Sequence, residues 1–155
     1  MQEVTGYPAR CLVFEVNDCL EALADVVGRL CQELAARNVP HNLLICDTGH
    51  RVFLFPNNFS AQQARGRVPE DVLDTGVNPA CFEIAGHMVM KRRQDYEDLD
   101  EAACERLLAP CSFPAPVFDA VAALAEEAAR LLPHQELSTA RLEAALAEMA
   151  AELPN

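Results

Sequence analysis

Apolar residues along this chain fall into two kinds of run, some short and dense, others spaced at three- and four-residue steps. "RCLVFEV" (10–16) is of the first kind. It is rich in apolar and β-branched residues and bounded by Tyr7-Pro8 and Asn17-Asp18, the pattern of a buried strand. Leu20, Leu23, Ala24, Val27, Leu30, Cys31 and Leu34 then recur at helical spacing. They predict an amphipathic helix over 18–37, capped by Asn17 or Asp18 and ended by Asn38 and Pro40. Such a helix must lie on a sheet. In "HNLLICDTGHRVFLFP" (41–56) two apolar runs flank "DTG", where Gly49 can take positive φ, so an antiparallel hairpin is expected, ended by Pro56.

From Asn57 to Pro79 the chain turns polar, and only "PEDVLD" (69–74) can make a helical turn. A connection of that length in a compact domain is usually functional or mobile. "CFEIAGHMVMK" (81–91) alternates and then becomes apolar, which predicts a further strand of the same sheet, with a bulge or close backbone approach at Gly86. Three Ala- and Leu-rich segments of helical period follow, at 98–111, 114–132 and 138–153, with Ser112 and Ser138 as candidate N-caps. The sum is α+β: an antiparallel sheet with a packed crossover helix, followed by C-terminal helices.

At 155 residues the chain is the size of one domain, long enough to bury about 68–70% of its unfolded surface. No apolar run approaches the roughly 20 residues of a bilayer span, and the N-terminus lacks a basic-then-apolar signal pattern. A soluble, cytoplasmic protein with no membrane partner is expected. Seven cysteines, an odd number with no Cys-x-x-Cys pair, suggest neither a disulfide framework nor a zinc site. The net charge of -12 argues against a nucleic-acid partner, which requires a basic face. The acid is unevenly spread. From Asp95 onward thirteen Asp and Glu stand against Arg106, Arg130 and Arg141, whereas Arg51, Arg65, Arg67, Lys91, Arg92 and Arg93 all precede them. An anion would therefore bind to the N-terminal part.

The four histidines, His41, His50, His87 and His134, are far apart, and no catalytic or metal-binding spacing joins them, so no nucleophile, metal or cofactor is nominated. On a strand, His87 would share a face with Glu83 and Lys91, where a carboxylate could orient an imidazole beside a cation. A histidine merely hydrogen-bonded within a strand is the competing reading. Lys91, Arg92 and Arg93, at the strand's end, could hold phosphate or simply offset Asp95, Glu97, Asp98 and Asp100. Arg65 and Arg67 could close over a phosphate or be ordinary loop charges. Asn42 is read as structural, and Cys46 and Cys81 as structural thiols.

"YPARCLVFEV", "VPHNLLICDTGHRVFLFPNNFSAQQARGRVPEDVLDTGVNPACFEIAGHMVMKRRQDYEDL" and "ERLLAPCSF" together resemble the C-terminal half of the GDP-hexose phosphorylases. That family, of the histidine-triad superfamily, comprises the GDP-L-galactose enzyme of plant ascorbate synthesis and the GDP-D-glucose enzyme of animals. The resemblance spans residues 7 to 121. It implies a histidine-triad-like half domain over 1–121, similar to half of galactose-1-phosphate uridylyltransferase, with 122–155 as a helical extension. It also implies phosphorolysis of a GDP-sugar to GDP and a hexose 1-phosphate through a guanylylated histidine.

That histidine belongs to a His-x-His-x-Gln/His motif in the family's N-terminal half, and no such motif stands in this sequence. Alone, the chain is expected not to turn over, and its expected partners are the N-terminal half and, through the complete enzyme, GDP-sugar and phosphate. Arg65, Arg67, Glu83, His87 and Lys91 are the candidate substrate-binding residues. A free-standing domain that binds guanine nucleotide or a protein partner is the alternative. The 78–99 segment lies closer to the plant and algal branch, which favours GDP-L-galactose over GDP-D-glucose.

Overall fold

The computed structural model describes residues 1–151. Its centre is a four-stranded antiparallel sheet in the order β1-β2-β4-β3, built from β1 (Gln2–Glu3), β2 (Leu12–Glu15), β3 (His41–Cys46) and β4 (Arg51–Pro56). The predicted hairpin is β3–β4, in unbroken register from His41↔Pro56 to Cys46↔Arg51. Its turn places Asp47, Thr48 and Gly49 all at positive φ, so the backbone freedom expected at Gly49 extends to two residues that carry a Cβ. The short β1 was not foreseen, because two polar residues carry no periodic signal.

Alternation along each strand divides the core in two. Leu12 and Phe14 of β2 and Val52 and Leu54 of β4 face α1 (Leu20–Ala36). On that side Leu30 and Leu34 are completely buried. Each such side chain contributes about 1.5–3 kcal/mol through the water it leaves. Further along the chain, α7 (Ala115–Arg130) and α8 (Ala140–Ala151) complete this layer, with Phe118 and Val121 fully buried. Arg10 joins the sheet to α7: its guanidinium lies 3.9 Å above the Phe118 ring and donates to Asp119. Arg37, at the end of α1, donates to Glu143 of α8.

The other sheet face is closed by short elements: α2 (Phe59–Ala64), α3 (Glu70–Asp74), α4 (Cys81–Ile84), α5 (Arg93–Glu97) and α6 (Glu101–Leu108). Cys11, Phe55, Phe59, Val72, Val77, Ile84, Leu107 and Cys111 form the second core there. The helical turn expected at 69–74 is α3, and the helix expected at 98–111 is α6 with the 109–111 turn that follows it.

Several local expectations are corrected. The strand predicted at 81–91 does not exist: Cys81–Ile84 is a helical turn, and no residue from 85 to 91 pairs in the sheet. Gly86 (φ +88) is neither a bulge nor a close approach but the left-handed residue just past α4. There its N–H donates to Glu83 O and that of His87 to Phe82 O, the paired bonds that close a helix end. Gly66 ends α2 the same way, with Gly66 N–H on Gln63 O and Arg67 N–H on Gln62 O. Helix α1 starts after Cys19 with no side-chain cap, so neither Asn17 nor Asp18 serves.

Neither serine caps a helix. Ser112 Oγ accepts the Arg10 N–H instead, while α7 starts from Pro114, and α8 begins after Thr139, whose carbonyl accepts Glu143 N–H. The predicted end of that helix at 153, Leu153 included, lies outside the described residues. The expected boundary at 121 falls within α7, which runs unbroken from 115 to 130. Among the described residues no single helix is long and apolar enough to cross a bilayer, and all seven cysteines are free.

Candidate functional site

Of the five candidate residues, Glu83 lies in α4, Arg65 and Arg67 in the segment between α2 and α3, and His87 and Lys91 in the segment between α4 and α5. Asn57 organises the start of the layer over the second sheet face. Its Nδ2 donates to Asn42 Oδ1 at 3.1 Å and to Pro79 O at 3.0 Å, and its Oδ1 accepts the Phe59 N–H. One side chain thus ties β3, α2 and the approach to α4 together, and Asn42 has the structural role expected of it.

Along α2 and its ends, Asn58, Gln62 and Arg65 follow at helical spacing and fall on one side. Asn58 is 1% exposed. Neither of its amide atoms has a partner in the chain, and the same holds for Gln62 Oε1 and Arg65 Nη1, all of them buried. A buried polar atom without a partner costs about 1–3 kcal/mol. Three such side chains in line are unusual enough to mark this ridge, and only Arg65 of the three was singled out from sequence.

The remaining candidates are placed differently. Arg67 is exposed just beyond Gly66. Glu83 is buried, and its Oε2 accepts the Ala80 N–H at 3.1 Å, so the carboxylate closes the first turn of α4. His87 is exposed and meets the Phe82 ring edge-on, with ring centres 6.4 Å apart. Lys91 is exposed, with its aliphatic stem beside Gly76, where a Cβ would come 3.4 Å from Cδ. The common face expected for Glu83, His87 and Lys91 rested on strand alternation and is absent, because the helical turn aims Glu83 inward and leaves His87 outside. His41 and His50 both direct Nδ1 at backbone carbonyls, of Val39 and Asp47.

Ion pairing separates the cations into two groups. Arg92 grips Asp95 with two donors, at 2.6 and 2.8 Å, and this hydrogen bonding holds the Asp95 carboxyl below its usual range. Arg93 is paired with Glu97. Of the Lys91-Arg92-Arg93 cluster, therefore, only Lys91 has no carboxylate partner among the described residues. The same is true of Arg65 and Arg67. These three are the cations of the second layer still available to a phosphate, which charge-assisted hydrogen bonds would hold.

Two cavities of about 180 Å³ open in this layer, and none of the five candidates lines either. One is apolar, between Tyr7, Cys11, Phe53, Phe55 and Ile84, with the Tyr7 hydroxyl donating to Ile84 O at 2.6 Å. Burial pushes the Cys11 thiol up to about 11 and the Cys111 thiol up to about 12, so both are protonated, unreactive core groups at neutral pH. The other cavity is rimmed by Asp71, Asp95, Asp98 and Arg106, where three carboxylates would repel a phosphate.

The family model described as "GDPGP1-like, C-terminal domain" matches residues 1–132. The chain belongs to this family. Among curated relatives, GDP-L-galactose phosphorylase 1 of Arabidopsis thaliana is 44% identical over 128 residues, covering 83% of this chain and 29% of the relative. GDP-L-galactose phosphorylase 2 of the same plant is 39% identical over 136 residues, covering 88% and 32%. The chain thus spans about a third of the length of these phosphorylases. No solved structure matches it. For this phosphorylase-type C-terminal domain, the match takes in the sheet, α1 to α6 and α7, and hence every candidate residue.

Proposed function

We propose that this chain acts as the C-terminal domain of a GDP-hexose phosphorylase that converts GDP-L-galactose and phosphate into GDP and L-galactose 1-phosphate, in the cytoplasm and toward ascorbate. The reading rests on one observation above the rest: 44% identity to GDP-L-galactose phosphorylase 1 across 83% of the chain. In the reaction, a histidine nitrogen supplied by another part of the enzyme attacks the α-phosphorus and expels hexose 1-phosphate. An oxygen of inorganic phosphate then attacks the same phosphorus, breaks the P–N bond and releases GDP. Two displacements replace one difficult step, but both build charge on phosphoryl oxygens.

This domain's part is to answer that charge. Arg65, Arg67 and Lys91 are uncommitted, and His87 is exposed on the same layer, so these side chains can move onto a phosphate without first breaking an ion pair. Glu83 acts through the backbone of α4, which carries His87 at its end. Lacking the nucleophile, the chain has no turnover of its own.

The test is calorimetric titration of GDP into this chain mixed with the separately expressed part of the Arabidopsis GDP-L-galactose phosphorylase 1 that lies outside the match. Lys91→Ala, Arg65→Ala and His87→Ala serve as variants. A lost charge-assisted hydrogen bond is worth about 1.5–3 kcal/mol, so at least one variant should weaken GDP tenfold or more. Unchanged affinity in all three would remove these residues from the site.

A further inference from the structure

Helical turn α4 presents His87 just past its end, yet its four residues give it little stability of its own, since an isolated helix shorter than about 12–15 residues is marginal in water. Its upstream end is held from within the second layer, by Asn57 Nδ2 on Pro79 O and by the Glu83 carboxylate on the Ala80 N–H. Its downstream end is held from a distant part of the chain. The Tyr7 hydroxyl, 77 residues away in sequence, donates to Ile84 O at 2.6 Å. A helix leaves its last carbonyls without internal partners, and no other donor among the described residues reaches that of Ile84.

Tyr7 is placed for this by its own neighbours. It stands in the connection between β1 and β2, which Val4 N–H on Cys11 O closes and which is anchored where Ser112 Oγ accepts the Arg10 N–H. Gly6 before it takes φ +77, and Pro8 after it steers Tyr7 toward extended backbone, so few directions remain to the side chain. The ring meets Phe55 of β4 edge-on, with centres 6.1 Å apart. Between Tyr7, Phe53, Phe55 and Ile84 lies the apolar cavity of about 180 Å³. Side chains over a void forgo part of their packing, so the hydrogen bond supplies attachment of α4 to the sheet that contact does not supply there.

We propose that the Tyr7 hydroxyl is a positioning group for His87. By holding Ile84 O it fixes the turn whose closing bonds, Gly86 N–H on Glu83 O and His87 N–H on Phe82 O, set the imidazole against the Phe82 ring. Tyr7 touches neither nucleotide nor phosphate in this assignment and acts only through α4. What His87 does there rests on the phosphorylase reading above; the addition is a residue from the first strand connection that builds the site from behind. Tyr7→Phe isolates the effect, because it leaves Ile84 O, on a residue 2% exposed, without a donor while keeping the ring.

The experiment compares Tyr7→Phe, His87→Ala and the double variant, in the full chain and in its mixture with the non-matching part of the Arabidopsis GDP-L-galactose phosphorylase 1. In the chain, Tyr7→Phe should speed hydrogen exchange at the Gly86 and His87 amides about two- to tenfold, leaving β3 and β4 as they are. It should also move the His87 ring signals in the NMR spectrum, which the neighbouring Phe82 ring shifts. In the mixture, Tyr7→Phe should weaken GDP in calorimetric titration, by no more than His87→Ala does, and should have no further effect once His87 is alanine. A merely structural role would weaken GDP equally with or without the imidazole. Unchanged exchange with unmoved His87 signals, GDP binding that responds to His87→Ala but not to Tyr7→Phe, or losses that add in the double variant would each overturn the assignment. Loosening of α4 by Tyr7→Phe with no effect of His87→Ala on GDP would instead remove His87 from the site, a failure of the functional reading, and leave the tie itself standing.

Discussion

The two faces of the sheet carry cores of opposite construction. One is closed by α1, α7 and α8, of 17, 16 and 12 residues; the other by five elements of four to eight residues. Long helices gain their order from an apolar stripe packed on the strands. The short ones are held by local devices instead: glycine-ended turns at Gly66 and Gly86, the Asn57 tie, and the Glu83 carboxylate on the Ala80 N–H. All five candidate residues stand on the second face. A rigid sheet backed by helices thus supports an irregular layer where backbone direction, and so side-chain placement, changes every few residues.

The largest test of this contrast compares two buried phenylalanines. Phe118 (0% exposed) anchors the helical face and Phe59 (1% exposed) the irregular one. Replacing either by alanine should cost about 3–5 kcal/mol. The consequences should differ in extent. Phe118→Ala should speed hydrogen exchange throughout the strands and α1, whereas Phe59→Ala should speed it mainly between 57 and 111. Equal, molecule-wide loosening in both would show that the two cores melt as one.

A smaller effect should come from pH, because the two most perturbed thiols are in the second core. An unfolded cysteine loses its proton near 9.0, while folded Cys11 and Cys111 hold theirs to about 11 and about 12. Between those limits the unfolded state binds fewer protons, so stability is fully present below pH 9 and falls as pH rises toward 12. Melting temperatures followed from pH 8 upward should drop for the wild type and drop less for Cys11→Ala with Cys111→Ala. Parallel curves would show that these thiols do not control alkaline unfolding.

The same contrast explains which parts could be read from sequence. Helix α1 and the β3–β4 hairpin were legible because their periods of 3.6 and 2 persist over enough residues to exclude alternatives. "CFEIAGHMVMK" was misread as a strand because four helical residues are too few to show a period, and its first residues alternate by chance. The neglected signal was glycine spacing: Gly66, Gly76 and Gly86, ten residues apart, all take positive φ. Among the cations, sequence named Arg65, Arg67 and Lys91 but could not separate them from Arg92 and Arg93, whose pairing depends on the turn that forms α5. Asn58 and Gln62 were missed because burial of a polar side chain without a partner leaves no mark on composition or periodicity.

The proposed division of labour, cations here and nucleophile elsewhere, is tested most directly by phosphate-dependent release of L-galactose 1-phosphate from GDP-L-galactose. The expected result is none from this chain alone and measurable turnover once the non-matching part of the Arabidopsis GDP-L-galactose phosphorylase 1 is added. Turnover by the isolated chain would contradict it, since a nucleophile would then have to lie among its own residues.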